Sequence, residues 1–289
     1  MTGLRIVAAG GIALAAGGAP TPLDPLYAGL GLKAPRRSSR FTQLALLGAR
    51  LATAMLAAPL DAGSALYLAT GAGNVADTAA VLEGLYRLGE APMPFAFINV
   101  SSNVAGFQIA AALGLNGSNL TVSRRDSALG AALELALADA GSGRLAQAMI
   151  GAVDECCWPL DRHRERLQIA ADTPLGEGSH WLAVDQTATV PLGVINAVVR
   201  LAARPALEAW LRTLPPTQAL VPATPEDSEL VHALAPRDHP IWTPTTAANG
   251  YYASAEMQTL CAALTRLERP FALLGKTTAG WQAIQISRT

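Results

Sequence analysis

Charge is scarce in this sequence. Asp, Glu, Lys and Arg make up only 15% of 289 residues, against about a quarter in an average soluble domain. The 21 basic and 22 acidic side chains nearly cancel, which excludes the basic excess of a nucleic-acid-binding protein. Apolar residues reach 51%, so the chain has the means to bury a sizeable core and is not disordered. So little charge predicts that apolar surface ends in an interface.

Cysteine is nearly absent too. Cys156 and Cys157 are adjacent and Cys261 stands alone, giving no disulfide framework, no CxxC and no zinc spacing. They read as small apolar filler in a reducing cytoplasm. Long apolar runs are missing as well. The stretch after Arg5 is broken by Gly10-Gly11 and Gly17-Gly18, which argues against a signal peptide and for a buried first strand, Leu4–Leu14. No segment approaches the roughly 18 to 20 uninterrupted apolar residues of a membrane span. The expectation is a soluble, cytoplasmic protein without metal or cofactor.

What is present is alternation. Hydrophobic periodicity predicts strands at Leu4–Leu14, Ala65–Thr70, Asn119–Ser123, Gln147–Val153 and His180–Val184. Between them it predicts helices at Phe41–Leu56, Val75–Leu88, Ser102–Leu113 and Ser127–Ala140. The second part repeats the rhythm more tersely: strands at Gly193–Leu201, Ala219–Val221, Ile241–Thr243, Phe271–Leu274 and Trp281–Ile286, helices at Ala206–Leu214, Glu226–Ala233 and Ser254–Leu267. Each half reads close to βαβαβαββ, over residues 1–190 and 191–289 of one domain, an α/β fold with largely parallel sheets. Ser127–Ala140 has apolar residues all round, with Glu134 and Asp139 its only charges; a helix without a polar face must be buried on most sides.

The run Asn119-Leu120-Thr121-Val122-Ser123 into that helix, followed by Gly151-Ala152-Val153-Asp154-Glu155, resembles the core of β-ketoacyl synthases. Short matches in the family's order extend along most of the chain: Pro94-Phe95 with Asn99 and Asn103-Val104-Ala105, Pro174-Leu175-Gly176-Glu177-Gly178, Leu273-Leu274-Gly275-Lys276, and Gly280-Trp281. The resemblance implies a thiolase fold, two βαβαβαββ halves packed as α-β-α-β-α layers around a buried central helix, with the second half trimmed.

The departures bear on function. The family's nucleophilic cysteine sits at the strand-to-helix turn, where the helix N-terminus lowers its pKa. Here the turn reads Ser123-Arg124-Arg125-Asp126-Ser127, placing Asp126 there with no cysteine within one residue. The family's two assisting histidines are absent: one region reads Leu220-Val221-Pro222-Ala223-Thr224-Pro225-Glu226, the other Asn249-Gly250-Tyr251-Tyr252, leaving Tyr251 or Tyr252 in place. Arg125 and Asp126 would form an ion pair in the vestigial pocket, or Arg124 or Arg125 would reach across a subunit interface. Of the four histidines, His163 sits in the charged run 161–166, read as a solvated loop, and His180, His232 and His239 read as structural.

The resemblance therefore implies a non-catalytic, chain-length-factor-like subunit, shortened, of a type II fatty-acid or polyketide system such as the aryl-polyene (xanthomonadin-like) pathways. It would pair with an active ketosynthase, complete the dimer interface, and wall off the acyl tunnel. Asn99, Asn103, Phe107, Asn119, Thr121 and Ser123 are its implied contacts. An acyl carrier protein would be a further partner; Arg36, Arg37 and Arg40 offer it a basic cluster, or form an ordinary solvated turn. Two alternatives stand beside this. One is an active acyltransferase or decarboxylase of the same fold, using Asp126, Ser123 or Ser127. The other is dinucleotide binding at Gly71-Ala72-Gly73-Asn74-Val75-Ala76, a G-x-G-x-x-A run in strand–turn–helix context with Glu90 downstream.

Overall fold

The computed structural model describes residues 3–243 and 250–288. The chain runs β1 (Leu4–Ala15), α1 (Asp24–Gly29), α2 (Arg40–Thr53), β2 (Ala65–Thr70), α3 (Val75–Glu83), α4 (Pro94–Asn99), α5 (Asn103–Leu113) and β3 (Asn119–Ser123). It continues through α6 (Ala128–Gly141), β4 (Gln147–Asp154), α7 (Leu160–Leu167), β5 (Gly176–Asp185), β6 (Gly193–Leu201), α8 (Arg204–Leu211), β7 (Ala219–Pro222) and α9 (Ser228–Leu234). It closes with α10 (Ala255–Arg266), β8 (Phe271–Thr277) and β9 (Gly280–Ser287).

The strands lie in the order β3-β2-β4-β5-β1-β6-β9-β8-β7. This order contains one pattern twice. In the first array β2 is parallel to β3 and β4, while β4–β5 and β5–β1 are antiparallel. In the second, β7 is parallel to β8, while β8–β9 and β9–β6 are antiparallel. The counterpart of β3 is reduced to a single parallel bridge, Ile241 to Leu220. The arrays meet along β1 and β6, where Leu4, Arg5 and Ile6 face Ile195, Val194 and Gly193.

Three apolar cores define the layers. Outside the first array, α2 and α5 bury Leu44, Leu47 and Ile109 against Leu66 and Leu68. Between the arrays, α6 and α10 contribute Leu129, Leu133, Leu260 and Leu264 to a core that takes Tyr67 and Ile150 from one array and Val221 and Leu273 from the other. Outside the second, α8 and α9 bury Leu207, Leu211 and Val231 against Leu220 and Leu274. The result is α-β-α-β-α, with α6 and α10 as the middle layer.

The two charges of α6 are both paired. Glu134 takes a two-point contact from Arg200 at 2.7 and 2.8 Å, and Asp139 accepts from the Tyr67 hydroxyl at 2.6 Å and from Arg144. Residues 161–166 are a correction. They belong to helix α7, and His163 is buried rather than solvated; burial and its neighbours Arg166 and Arg164 hold its pKa down near 4. The segment from Ile241 to Thr243 forms only the bridge at Ile241, short of the expected strand.

Candidate functional site: the cleft at the head of the buried helix

Strand β3 ends at Ser123, and its pairing with the β2 side carries on into the loop: Arg124 N–H donates to Thr70 O and Arg125 N–H to Gly71 O, both at 3.1 Å. Arg125 has φ +44°, a left-handed conformation costing a non-glycine residue on the order of 1 kcal/mol or more. One short turn, Arg125–Ser127, then leads into α6. The strained residue of the strand-to-helix turn is therefore Arg125, one position before Asp126. A sharp turn of this kind is the device by which a nucleophile is held out at a helix head; the side chain carried here is a guanidinium.

Asp126 turns the other way. Its carboxylate accepts from the backbone N–H of Thr278 at 2.8 Å and from its hydroxyl at 3.2 Å, tying the head of α6 to the β8–β9 hairpin. It makes no ion pair with Arg125 among the described residues, contrary to one expectation from sequence. Asp126 and Tyr251 do line one cleft of about 510 Å³ together with Glu226, Asp227, Glu256 and Lys276. A smaller one of about 190 Å³ shares Thr224, Glu226 and Tyr251 with it. Tyr251 is held by backbone bonds to Pro174 and Gly176, and burial pushes its hydroxyl up to about 12. Tyr252 points elsewhere: it is buried, and its hydroxyl meets Gln258 at 3.0 Å and His180 at 3.4 Å. Asn249, the other residue read at this place, lies outside the described residues.

The residue that the sequence reading passed over is Glu256. It is buried in the cleft wall, and burial, reinforced by Asp227 and Asp126, raises its pKa to about 8. A carboxyl protonated at neutral pH gives no charge to polarise a thioester. The signal was present: Glu256, Leu260 and Leu264 recur at i, i+4, i+8, the face α10 buries. Neither cysteine nor histidine is among the described lining residues. Cys261 lies on α10 with its Sγ toward Trp181 O, and burial holds its thiol up at about 12. His180 is buried in β5 with its pKa lowered to about 4. The cleft thus has carboxylates, hydroxyls and one lysine, without a thiolate or an imidazole.

The glycine-rich loop after β2 is filled from within. The Asp154 carboxylate, fully buried at the end of β4, accepts from Gly71 N–H and Ala72 N–H at 3.0 Å and from the Thr70 hydroxyl at 2.9 Å. Gly73 N–H goes to Thr70 Oγ1, and Ala76 N–H to Glu155 Oε1 at 2.9 Å. Two buried carboxyl groups thus occupy the donors a pyrophosphate would need, which removes the basis for dinucleotide binding here. The basic cluster also divides. Arg40 pairs in two-point fashion with the buried Glu177 carboxylate, while Arg36 and Arg37 stay exposed.

The expected contact residues gather on one edge. β3 is the outermost strand of its array and mostly exposed. Asn119 and Ser123 on it are exposed, as are Asn103 and Phe107 on α5, which packs beside it. Thr121 is half-buried, and its hydroxyl has no partner. Asn99 stands apart: it is half-buried, and its carbonyl accepts from the Asn74 side chain.

No protein-family model matches the chain, and no curated relative matches it by sequence. Solved structures do. The chain is similar to the ishigamide ketosynthase/chain length factor, with TM-score 0.78 and 19% identity over 99% of each chain. It is similar to a β-ketoacyl synthase from Burkholderia phymatum, with TM-score 0.74 and 10% identity over all of both chains. It also matches a ketosynthase in complex with its chain length factor from Xenorhabdus doucetiae, with TM-score 0.56, 15% identity and full coverage of both. The chain has the thiolase fold, in the form that ketosynthases and chain length factors share.

Proposed function

We propose that this protein is a non-catalytic, chain-length-factor-like subunit that pairs with an active β-ketoacyl-carrier-protein synthase of a type II fatty-acid or polyketide system, of aryl-polyene type. The observation carrying this reading is the open edge at β3. Among the described residues β3 pairs with a strand on one side only, β2, and an open strand edge is a template for another strand. Helices on its two faces each present an exposed apolar residue, Phe107 on α5 and Leu135 on α6. Among the described residues, ten of the thirteen exposed large apolar side chains fall between Leu82 and Leu120, a clustering that marks an association surface. The first core has no share in this: α3 and α4 bury no residue at all.

The cleft supports the non-catalytic half of the reading. Acyl transfer to a cysteine and decarboxylation by histidines both need side chains that it lacks. In this reading the partner supplies the chemistry. This chain completes the dimer interface through Asn103, Phe107, Asn119, Thr121 and Ser123, with Asn99 behind them, and walls off the partner's acyl tunnel. Asp126 and Tyr251 fill the vestigial site. Carrier protein reaches the pair directly or through the partner, with the exposed Arg36 and Arg37 as the basic residues on this side, Arg37 lying over the Phe95 ring at 5.1 Å. The test is co-expression with a ketosynthase that retains Cys-His-His, followed by sedimentation. Wild-type chain should give a stable heterodimer, and Phe107→Asp with Leu120→Asp should weaken it by about thirtyfold or more, the scale of hot-spot loss.

A further inference from the structure

A third cleft lies on the outer side of the first array, and shares no lining residue with the two described above. The C-terminal turns of α2 and α5, the end of α1 and the loop after α2 enclose about 450 Å³, within the range of roughly 300 to 1,000 Å³ typical of small-molecule pockets. Its walls are Leu30, Leu32, Leu56, Leu60 and Leu113. These leucines pack against the outer core yet remain only half-buried. The space persists because the chain around it is lean. Gly31 and Gly114 take positive φ (69° and 72°) where α1 and α5 stop, and the loop contributes Ala57, Ala58 and Pro59.

One cation stands in this apolar wall. Arg50, on α2, uses one nitrogen to cap α5, donating from Nη2 to Ala112 O at 2.6 Å. No carboxylate pairs with it among the described residues. No acceptor there meets its Nε or Nη1. An unpaired guanidinium beside a cleft of leucines matches one ligand chemistry, an apolar chain ending in an anionic head that takes two guanidinium N–H groups.

We propose that this cleft binds a medium-chain fatty carboxylate, its chain against the leucines and its head on Arg50. The site is independent of the subunit pairing argued above. The experiment is calorimetric titration of the full chain with dodecanoate kept below micelle formation, with dodecanol and butanoate as probes lacking the charge or the chain. Dodecanoate should bind saturably at one per chain, and each control at least about tenfold more weakly. Arg50→Gln should weaken dodecanoate binding about tenfold. Because that change also uncaps α5, Ala58→Asp serves as a second variant, setting a negative charge in the exposed lining while leaving Arg50 and its cap intact; it should weaken binding similarly. Val190→Asp, at an exposed position between β5 and β6, should leave it unchanged. The proposal is overturned if wild type shows no saturable binding, if dodecanol binds equally well, or if Ala58→Asp retains wild-type affinity.

Discussion

Asp126 and Thr278, 152 residues apart, are joined by two hydrogen bonds from Thr278 to one carboxylate. The head of the central helix of the first half is thereby fastened to the closing hairpin of the second. Asp126, at the head of the buried helix, thus has a structural partner. Replacing Asp126 by Ala should lower unfolding free energy by about 1.5 to 3 kcal/mol, the usual scale for hydrogen bonds to a charged group, as read from urea melts. Replacing it by Cys should restore no condensation of acyl and malonyl carrier proteins, since no imidazole lines the described cleft.

Arg40 and Glu177 form the second long-range link. The Glu177 side chain is 2% exposed, Arg40 pairs with it, and it also accepts from Cys156 N–H at 3.2 Å. Removing only the cation strands a buried carboxylate, so Arg40→Met should cost about 3 kcal/mol or more. Adding Glu177→Leu should recover part of that loss. A double-mutant cycle by chemical denaturation measures the coupling.

Two buried carboxyls set a pH dependence. Burial raises both Glu155 and Glu256 from 4.5 to about 8. Between those values the folded chain binds more protons than the unfolded one, so the contribution of these groups is fully present below about pH 4.5, is lost as pH rises from there to about 8, and levels off above it. The loss approaches about 1.4 kcal/mol per pH unit for each group. Glu256→Gln should flatten this slope, leaving the variant more stable than wild type at pH 8 and little changed at pH 5. Urea midpoints at the two pH values decide it.

The loop from Thr70 to Ala76 should not bind NAD(H) or NADP(H), since Asp154 and Glu155 take its N–H donors. Fluorescence titration of either reduced cofactor should show no saturation at micromolar concentrations.

Periodicity alone was enough for most of the alternation of strands and helices, and the run 127–140, apolar all round with Glu134 and Asp139 its only charges, correctly announced a middle-layer helix. Local pattern failed where tertiary contact decides. Residues 161–166 carry so much charge that they read as a solvated loop, yet Leu160, His163 and Leu167 share one helical face, of which His163 is buried. Ile241–Thr243 has strand composition but finds only Leu220 to pair with. The loop glycines were legible as a tight turn, whereas Asp154, 82 residues beyond Ala72, was invisible as the group that fills it. Glu256 stayed hidden because one acid on an apolar face weighs little in a hydrophobic pattern.

In the proposed reading this chain assembles with a catalytic partner and performs no condensation itself. The most direct measurement is condensation of acyl- and malonyl-carrier protein by three samples: the purified chain, a Cys-His-His ketosynthase, and the two co-expressed. No turnover is expected from the chain alone, and turnover is expected from a stable heterodimer and lost when only the partner's cysteine is replaced. Turnover by the chain alone, or a monodisperse monomer that ignores the ketosynthase, would contradict this reading.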